Sequence, residues 1–136
     1  MIIVTGGSGF IGQHLINKLK KSGHLVGNFD CRSRPDDAAD QFFNGDIRNT
    51  LEIEKALKGA SYVFHLAAVV GVAKIYEDPI TSMQINIQGT ENILNVCSKL
   101  DLPVFVASSS EVYGVGTKIP FSEKDEVRFS STQNLR

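Results

Sequence analysis

Short apolar runs alternate with segments of helical period along this 136-residue chain, and that alternation limits the fold more than any other feature. The runs lie at residues 2–4, 25–29, 41–44 (the weakest), 62–67 and 104–107. Between the first two, residues 10–21 place Ile11, Leu15, Ile16 and Leu19 on one face, and Ser22-Gly23 supplies a stop. Asn49, followed three residues later by Glu52, has the form of a capping box. It opens a short helix carrying Ile53, Ala56 and Leu57, which Gly59 closes. From about residue 79 to 100, Met83, Ile87, Leu94 and Cys97 recur at spacings of three, four and seven, with Ile93, Val96 and Leu100 alongside. That spacing predicts one long amphipathic helix. Apolar strands alternating with helices imply a parallel sheet covered on both faces, joined by right-handed crossovers.

The chain is long enough for one domain with a real core and too short for two ordinary ones. A formal net charge of −1 provides neither a basic surface for nucleic acid nor a polybasic segment for a membrane. No run of about 20 apolar residues is present, and the start MIIVTGGSGF lacks the charged beginning and long apolar run of a signal peptide. The expected compartment is the cytoplasm. Cys31 and Cys97 have neither metal-ligand nor disulfide-framework spacing and read as small buried apolar residues in a reducing compartment. Residues 114–136 are polar, carry Gly, Pro and Ser, and show no period.

TGGSGFIG, at residues 5–12, joins the first strand to the first helix. Gly7, Gly9 and Gly12 satisfy Gly-x-Gly-x-x-Gly, and Gly6, Gly9 and Gly12 satisfy Gly-x-x-Gly-x-x-Gly. Such a turn needs glycine to bend tightly, to let backbone approach a pyrophosphate at Gly9, and to let the helix pack close at Gly12. The helix start, with Phe10 and Ile11, then presents free N–H groups and a positive dipole end to the phosphates. Asp30 closes strand two, where a carboxylate can accept hydrogen bonds from the ribose hydroxyls of a dinucleotide. Arg32 and Arg34 nearby could cradle a 2′-phosphate, but Asp30 would repel it, so NAD is favoured over NADP.

TGGSGFIG, GDIRN (45–49), HLAA (65–68), NIQGT (86–90) and SSSEVYG (108–114) occur in that order. The chain thereby resembles the extended short-chain dehydrogenase/reductase superfamily, in particular its NAD-dependent epimerase/dehydratase branch acting on nucleotide sugars, over residues 1 to about 121. The resemblance implies that Asp46 and Ile47 contact the adenine. It implies that Leu66, Ala67 and Ala68 line the path from the ribose toward the nicotinamide. His65 reads as a strand-end structural residue, and Asn86 as a tether holding the long helix through backbone hydrogen bonds. Ser109 matches the Ser/Thr whose hydroxyl binds the sugar oxygen during oxidation. Glu111 occupies a position used for acid–base work in dehydratase and decarboxylase members, while Tyr113 reads as structural.

The family's general base is the tyrosine of Tyr-x-x-x-Lys, its pKa lowered by the lysine and by the cofactor's positive ring. The chain's three tyrosines, Tyr62, Tyr76 and Tyr113, are followed four residues on by Leu66, Ile80 and Thr117, so the motif is absent. The expected fold is therefore a doubly wound (Rossmann) α/β layer of about five parallel strands in order 3-2-1-4-5, incomplete relative to the family. Residues 1–113 read as the dinucleotide-binding portion and 114–136 as an irregular tail leading to a missing part. The expected function is NAD-dependent epimerisation, dehydration or decarboxylation of a nucleotide sugar through transient oxidation of a sugar carbon. This chain itself is expected to be an inactive, cofactor-binding fragment. Two alternatives stay open: a non-catalytic dinucleotide-binding module, and a superfamily reductase with a non-sugar substrate. The resemblance is also consistent with a homodimer through the long helix, and no metal site is expected.

Overall fold

The computed structural model describes residues 1–34, 36–114 and 120–125. It divides into two compact units, Met1–Val106 and Ala107–Arg136.

The first unit is an α/β layer built on β1 (Ile2–Thr5), β2 (Val26–Asp30), β3 (Gln41–Asn44), β4 (Tyr62–His65) and β5 (Val104–Val106). All neighbouring strands pair in parallel, in the order β3-β2-β1-β4-β5. This is the fold read from the sequence. Thr5 stands in register with Phe29 on one side and His65 on the other, so the carboxyl ends of the three central strands align.

Alternation along each strand decides which helix covers what. Val4 and Val26 point to the face covered by α1 (Phe10–Lys21), where they meet Ile16. Ile3, Phe29 and Val63 point to the opposite face and meet Ile53, Ala56 and Leu57 of α2 (Thr50–Leu57). The same cluster takes in Ile93, Val96 and Cys97 of α5 (Thr90–Lys99). Each fully buried Ile, Leu or Phe here contributes about 1.5–3 kcal/mol. On the α1 side, β4 and β5 carry an aromatic row, with Tyr62–Phe64 centroids 4.9 Å apart and Phe64–Phe105 5.8 Å apart.

The single long helix expected over residues 79–100 is three pieces. They are α4 (Pro79–Met83), a π-helical turn (Gln84–Gly89) and α5. A short α3 (Val72–Glu77) precedes them and has no counterpart in the sequence reading. The π turn shifts the phase of the helix. Met83, Ile87 and Leu94 therefore lie on an outer face, 61%, 62% and 42% exposed, whereas Ile93, Val96 and Cys97 enter the core. Asn49 caps α2 as expected, with Oδ1 accepting from the Leu51 and Glu52 N–H groups at 3.1 and 3.4 Å. Glu52 does not complete the capping box, because its Oε2 accepts the N–H of Asp46 at 2.8 Å instead.

In the second unit, Ser110–Tyr113 form a 3₁₀ turn, and the Tyr113 and Phe121 rings stack 5.1 Å apart. The tail expected over 114–136 lies, apart from residues 114 and 120–125, outside the described residues.

Candidate functional site

The turn between β1 and α1 is shaped by what its glycines lack. Gly6 has φ +70°, and a Cβ built on it would stand 2.7 Å from Ala67 N. The turn leaving β1 thus touches the turn leaving β4, and only glycine fits there. At Gly12 a Cβ would lie 2.3 Å from Gly6 O, so α1 is seated directly on the turn. Gly9 differs. It is ordinary extended backbone, φ −76° and ψ 172°, and its Cβ would meet only Gly6 O, at 3.1 Å, among the described residues. The protein's own packing thus makes a weak demand for glycine at position 9, so the open cradle suits a group from outside.

No side chain caps α1, and its first turn holds no acidic residue. The orphan N–H groups of Phe10, Ile11 and Gly12 and the positive end of the helix dipole therefore suit an anion. The Phe10 and Ile11 side chains are exposed.

Asp30 is buried at the end of β2, and the structure engages both of its oxygens. The Ser8 N–H donates to Oδ2 at 3.1 Å and the Arg32 N–H to Oδ1 at 3.0 Å, while Ser8 Oγ donates to Arg32 O at 2.6 Å. A carboxylate so anchored still has a free lone pair on each oxygen. Beneath it, the fully buried Asn28 gives its Nδ2 hydrogens to Ser8 Oγ at 3.1 Å and to Asp37 Oδ2 at 2.6 Å. Among the described residues its Oδ1 has no hydrogen-bond partner, and it abuts Gly7, where a Cβ would stand 2.2 Å away. Asn28 therefore ties the loop after β2 to the glycine turn, and sequence reasoning missed both it and Ser8. The available signal was an asparagine in the middle of an otherwise apolar strand. Arg34 is turned to Asp36, to which Nε and Nη2 donate at 2.9 and 3.1 Å.

Asp46 and Ile47 follow β3 at the same edge of the sheet. Arg48 hydrogen-bonds the Asp46 carboxylate through Nε and Nη2, at 3.0 and 2.5 Å, and holds its pKa below the usual carboxylate range. Ile47 is buried against Gly89 of the π turn, and Asn92 of α5 donates to the carbonyls of Ile47 and Arg48 at 3.1 and 3.2 Å. Leu66, Ala67 and Ala68 leave β4 beside the glycine turn. The Leu66 N–H donates to Thr5 O at 3.1 Å and the Ala67 N–H to Thr5 Oγ1 at 3.2 Å. Asn86 holds this segment through Val69, accepting from its N–H at 2.7 Å and donating to its carbonyl at 2.9 Å. Ser109 and Glu111 belong to the second unit, where Ser109 Oγ accepts from the Glu111 N–H at 3.2 Å and caps the 3₁₀ turn.

Five parallel strands with a glycine cradle, a buried carboxylate and an alanine-lined exit at their carboxyl ends form a dinucleotide-binding arrangement. The family model for the NAD dependent epimerase/dehydratase family matches residues 2–134. The chain belongs to that family. A UDP-N-acetyl-alpha-D-glucosaminuronate decarboxylase of Bacillus cytotoxicus is 36% identical, over 98% of this chain and 44% of its own length. A sterol-4-alpha-carboxylate 3-dehydrogenase, decarboxylating, of Mus musculus is 35% identical, over 98% of this chain and 38% of its own length. Among solved structures, MoeE5 in complex with UDP-glucuronic acid and NAD shares the fold with TM-score 0.83 and 36% identity, over 94% of this chain and 42% of that one. The chain thus spans less than half the length of these relatives. Among the described residues, no helix is long and apolar enough to cross a membrane.

Proposed function

We propose that the carboxyl edge of the first unit holds the adenosine diphosphate half of NAD, and that the whole protein uses it to modify a nucleotide sugar through transient oxidation of a sugar carbon. The observation that carries this reading is Gly9, a glycine weakly required by the protein's own packing, at the uncapped start of a 12-residue helix. The N–H groups of residues 10–12 bind the pyrophosphate. Asp30, already oriented by Ser8 and Arg32, accepts from the ribose hydroxyls and disfavours a 2′-phosphate, and the engagement of Arg34 by Asp36 works in the same direction. Asp46 and Ile47 border the adenine. Leu66, Ala67 and Ala68 form a wall with small side chains toward the nicotinamide. When bound, NAD supplies the hydride acceptor and later returns the hydride. Ser109 donates its hydroxyl to the reacting sugar oxygen and Glu111 moves a proton, both assigned from the family motif. The sequence of this chain holds no Tyr-x-x-x-Lys to supply the base, so the decisive test is binding.

The fit of NAD separates from a bare anion site in calorimetry of the chain with NAD, ADP-ribose and NADP. NAD and ADP-ribose should bind, and NADP more weakly. Asp30→Ala should weaken NAD by about 1–3 kcal/mol and NADP by less. A folded chain that ignores both NAD and ADP-ribose at millimolar concentration ends this reading.

A second reading, a substrate other than a nucleotide sugar, is favoured by the sterol relative. It shares the cofactor half and parts from the first in a product assay of the protein against UDP-sugars and sterol carboxylates. The outer apolar face of Ile80, Met83, Ile87 and Leu94 supports a homodimer, to be read by sedentimentation of the chain with and without Ile87→Glu. Both cysteines are free, which fits a reducing, cytoplasmic compartment, but only Cys97 is buried as expected; Cys31, just beyond the end of β2, is exposed.

A further inference from the structure

A closed circuit of hydrogen bonds links the ends of β1 and β4 to the π turn. Thr5 and His65, paired in the parallel register, are both buried. Thr5 Oγ1 accepts the Ala67 N–H at 3.2 Å and lies 2.7 Å from His65 Nδ1. Nε2 lies 3.0 Å from Thr90 Oγ1, whose own hydrogen goes to Asn86 O at 2.7 Å. Because Thr90 Oγ1 spends its own hydrogen on Asn86 O, Nε2 beside it must donate, and in a neutral ring Nδ1 then accepts the Thr5 hydroxyl hydrogen. That puts the ring proton on Nε2. The Asn86 side chain then grips both backbone groups of Val69, two residues beyond Ala67 where the circuit began. Every hydroxyl hydrogen has one destination, so the chain of donors runs one way.

We propose that His65, accepting at Nδ1 and donating at Nε2, is the positioning residue that fixes segment 66–69 against the π turn and so sets the wall toward the nicotinamide. A merely space-filling histidine would satisfy neither hydroxyl in particular and would leave the π turn without a tie to the sheet centre. Burial drives the pKa of His65 down to about 4, which keeps the ring neutral and the circuit intact near neutral pH. The cofactor part of this inference rests on the function proposed above, whereas the circuit does not.

Two measurements test it. Nitrogen-15 NMR of the His65 ring should show a pyridine-like Nδ1 and a pyrrole-like Nε2 at pH 7; the opposite or a mixed tautomer overturns the circuit. Thr90→Val removes the acceptor of Nε2 while keeping the shape. It should weaken NAD about tenfold, the factor for one buried hydrogen bond, and leave ADP-ribose within about twofold. Equal loss for both ligands, or none for either, overturns the positioning role. If the unmodified chain is folded and binds neither, the cofactor reading fails. The circuit is then judged by hydrogen exchange at the Val69 amide, which should accelerate in Thr90→Val, and an unchanged rate overturns it. Should Thr90→Val not fold, the tautomer of the unmodified chain decides alone.

Discussion

The turn leaving β1 and the turn leaving β4 touch at the same edge of the sheet, yet they are held by opposite means. The first is shaped by subtraction: at Gly6, Gly7 and Gly12 an added Cβ would come within 3 Å of another group. The second is shaped by addition, since Thr5, His65, Thr90 and Asn86 supply hydrogen bonds that hold residues 66–69. A turn of the first kind fails when atoms are put in. A turn of the second kind fails when a donor or acceptor is taken out or changes charge.

The most severe way to break the contrast is Gly12→Val. The clashing atoms at Gly6 and Gly7 are backbone and cannot swing aside, so a loss of about 3 kcal/mol in urea unfolding is expected, at the upper end for overpacking. A loss below about 1 kcal/mol would mean that α1 can lift off the turn and that subtraction is not what holds it.

Acid tests the other turn. Because the folded pKa of His65 lies near 4, below the ordinary 6.5, the unfolded chain takes up this proton first. Its contribution is fully present above pH 6.5 and is lost as pH falls from there through 4, up to about 3 kcal/mol in all. The carboxylates whose pKa values are lowered, Asp36, Asp40, Asp46 and Asp78, lose their contributions at lower pH, as it falls through their folded values. The window from pH 6.5 to 5 is thus where His65 stands apart from them. Urea unfolding across that window should weaken in the unmodified chain more than in His65→Gln. Parallel profiles would show that addition at this turn does not depend on a neutral ring.

The smallest effect on folding sharpens the comparison most. Gly9→Ala should change stability by less than about 1 kcal/mol, because its Cβ meets a single atom at 3.1 Å. Binding of NAD and ADP-ribose should nevertheless fall more than tenfold, since the methyl fills the cradle. Unchanged binding would make Gly9 an ordinary loop residue.

These two turns also divide what could be read from sequence. The glycine turn, Phe10–Lys21, the Asn49 cap and all five strands carry local signals: spacing, β-branched runs and turn residues. Asp30 could be read because it ends a strand at a fixed distance from the glycines. The second turn could not be assembled in that way. Its bonds join residues as much as 62 positions apart, and threonine or histidine at a strand end has no period that announces a partner. Asn28 was hidden for the same reason, since its partners Ser8 and Asp37 flank it on separate loops. The helical segment over residues 79–100 shows a different limit. A helical repeat reveals that one side is apolar, but not whether that side faces the sheet or the solvent.

The π turn has a consequence for how this chain tolerates change in length. Each residue of an α-helix advances the side chains by about 100°, and a π turn accommodates one surplus residue without interrupting the helix. Deleting one residue from Gln84–Gly89 would restore a regular ladder and improve the local helix. Because the turn already absorbs the surplus residue, everything beyond it would keep its place, with Ile93, Val96 and Cys97 still in the core. The deletion would spare the core and disturb the irregular turn from which Asn86 grips Val69, so the surplus residue serves segment 66–69 and not the packing of the sheet.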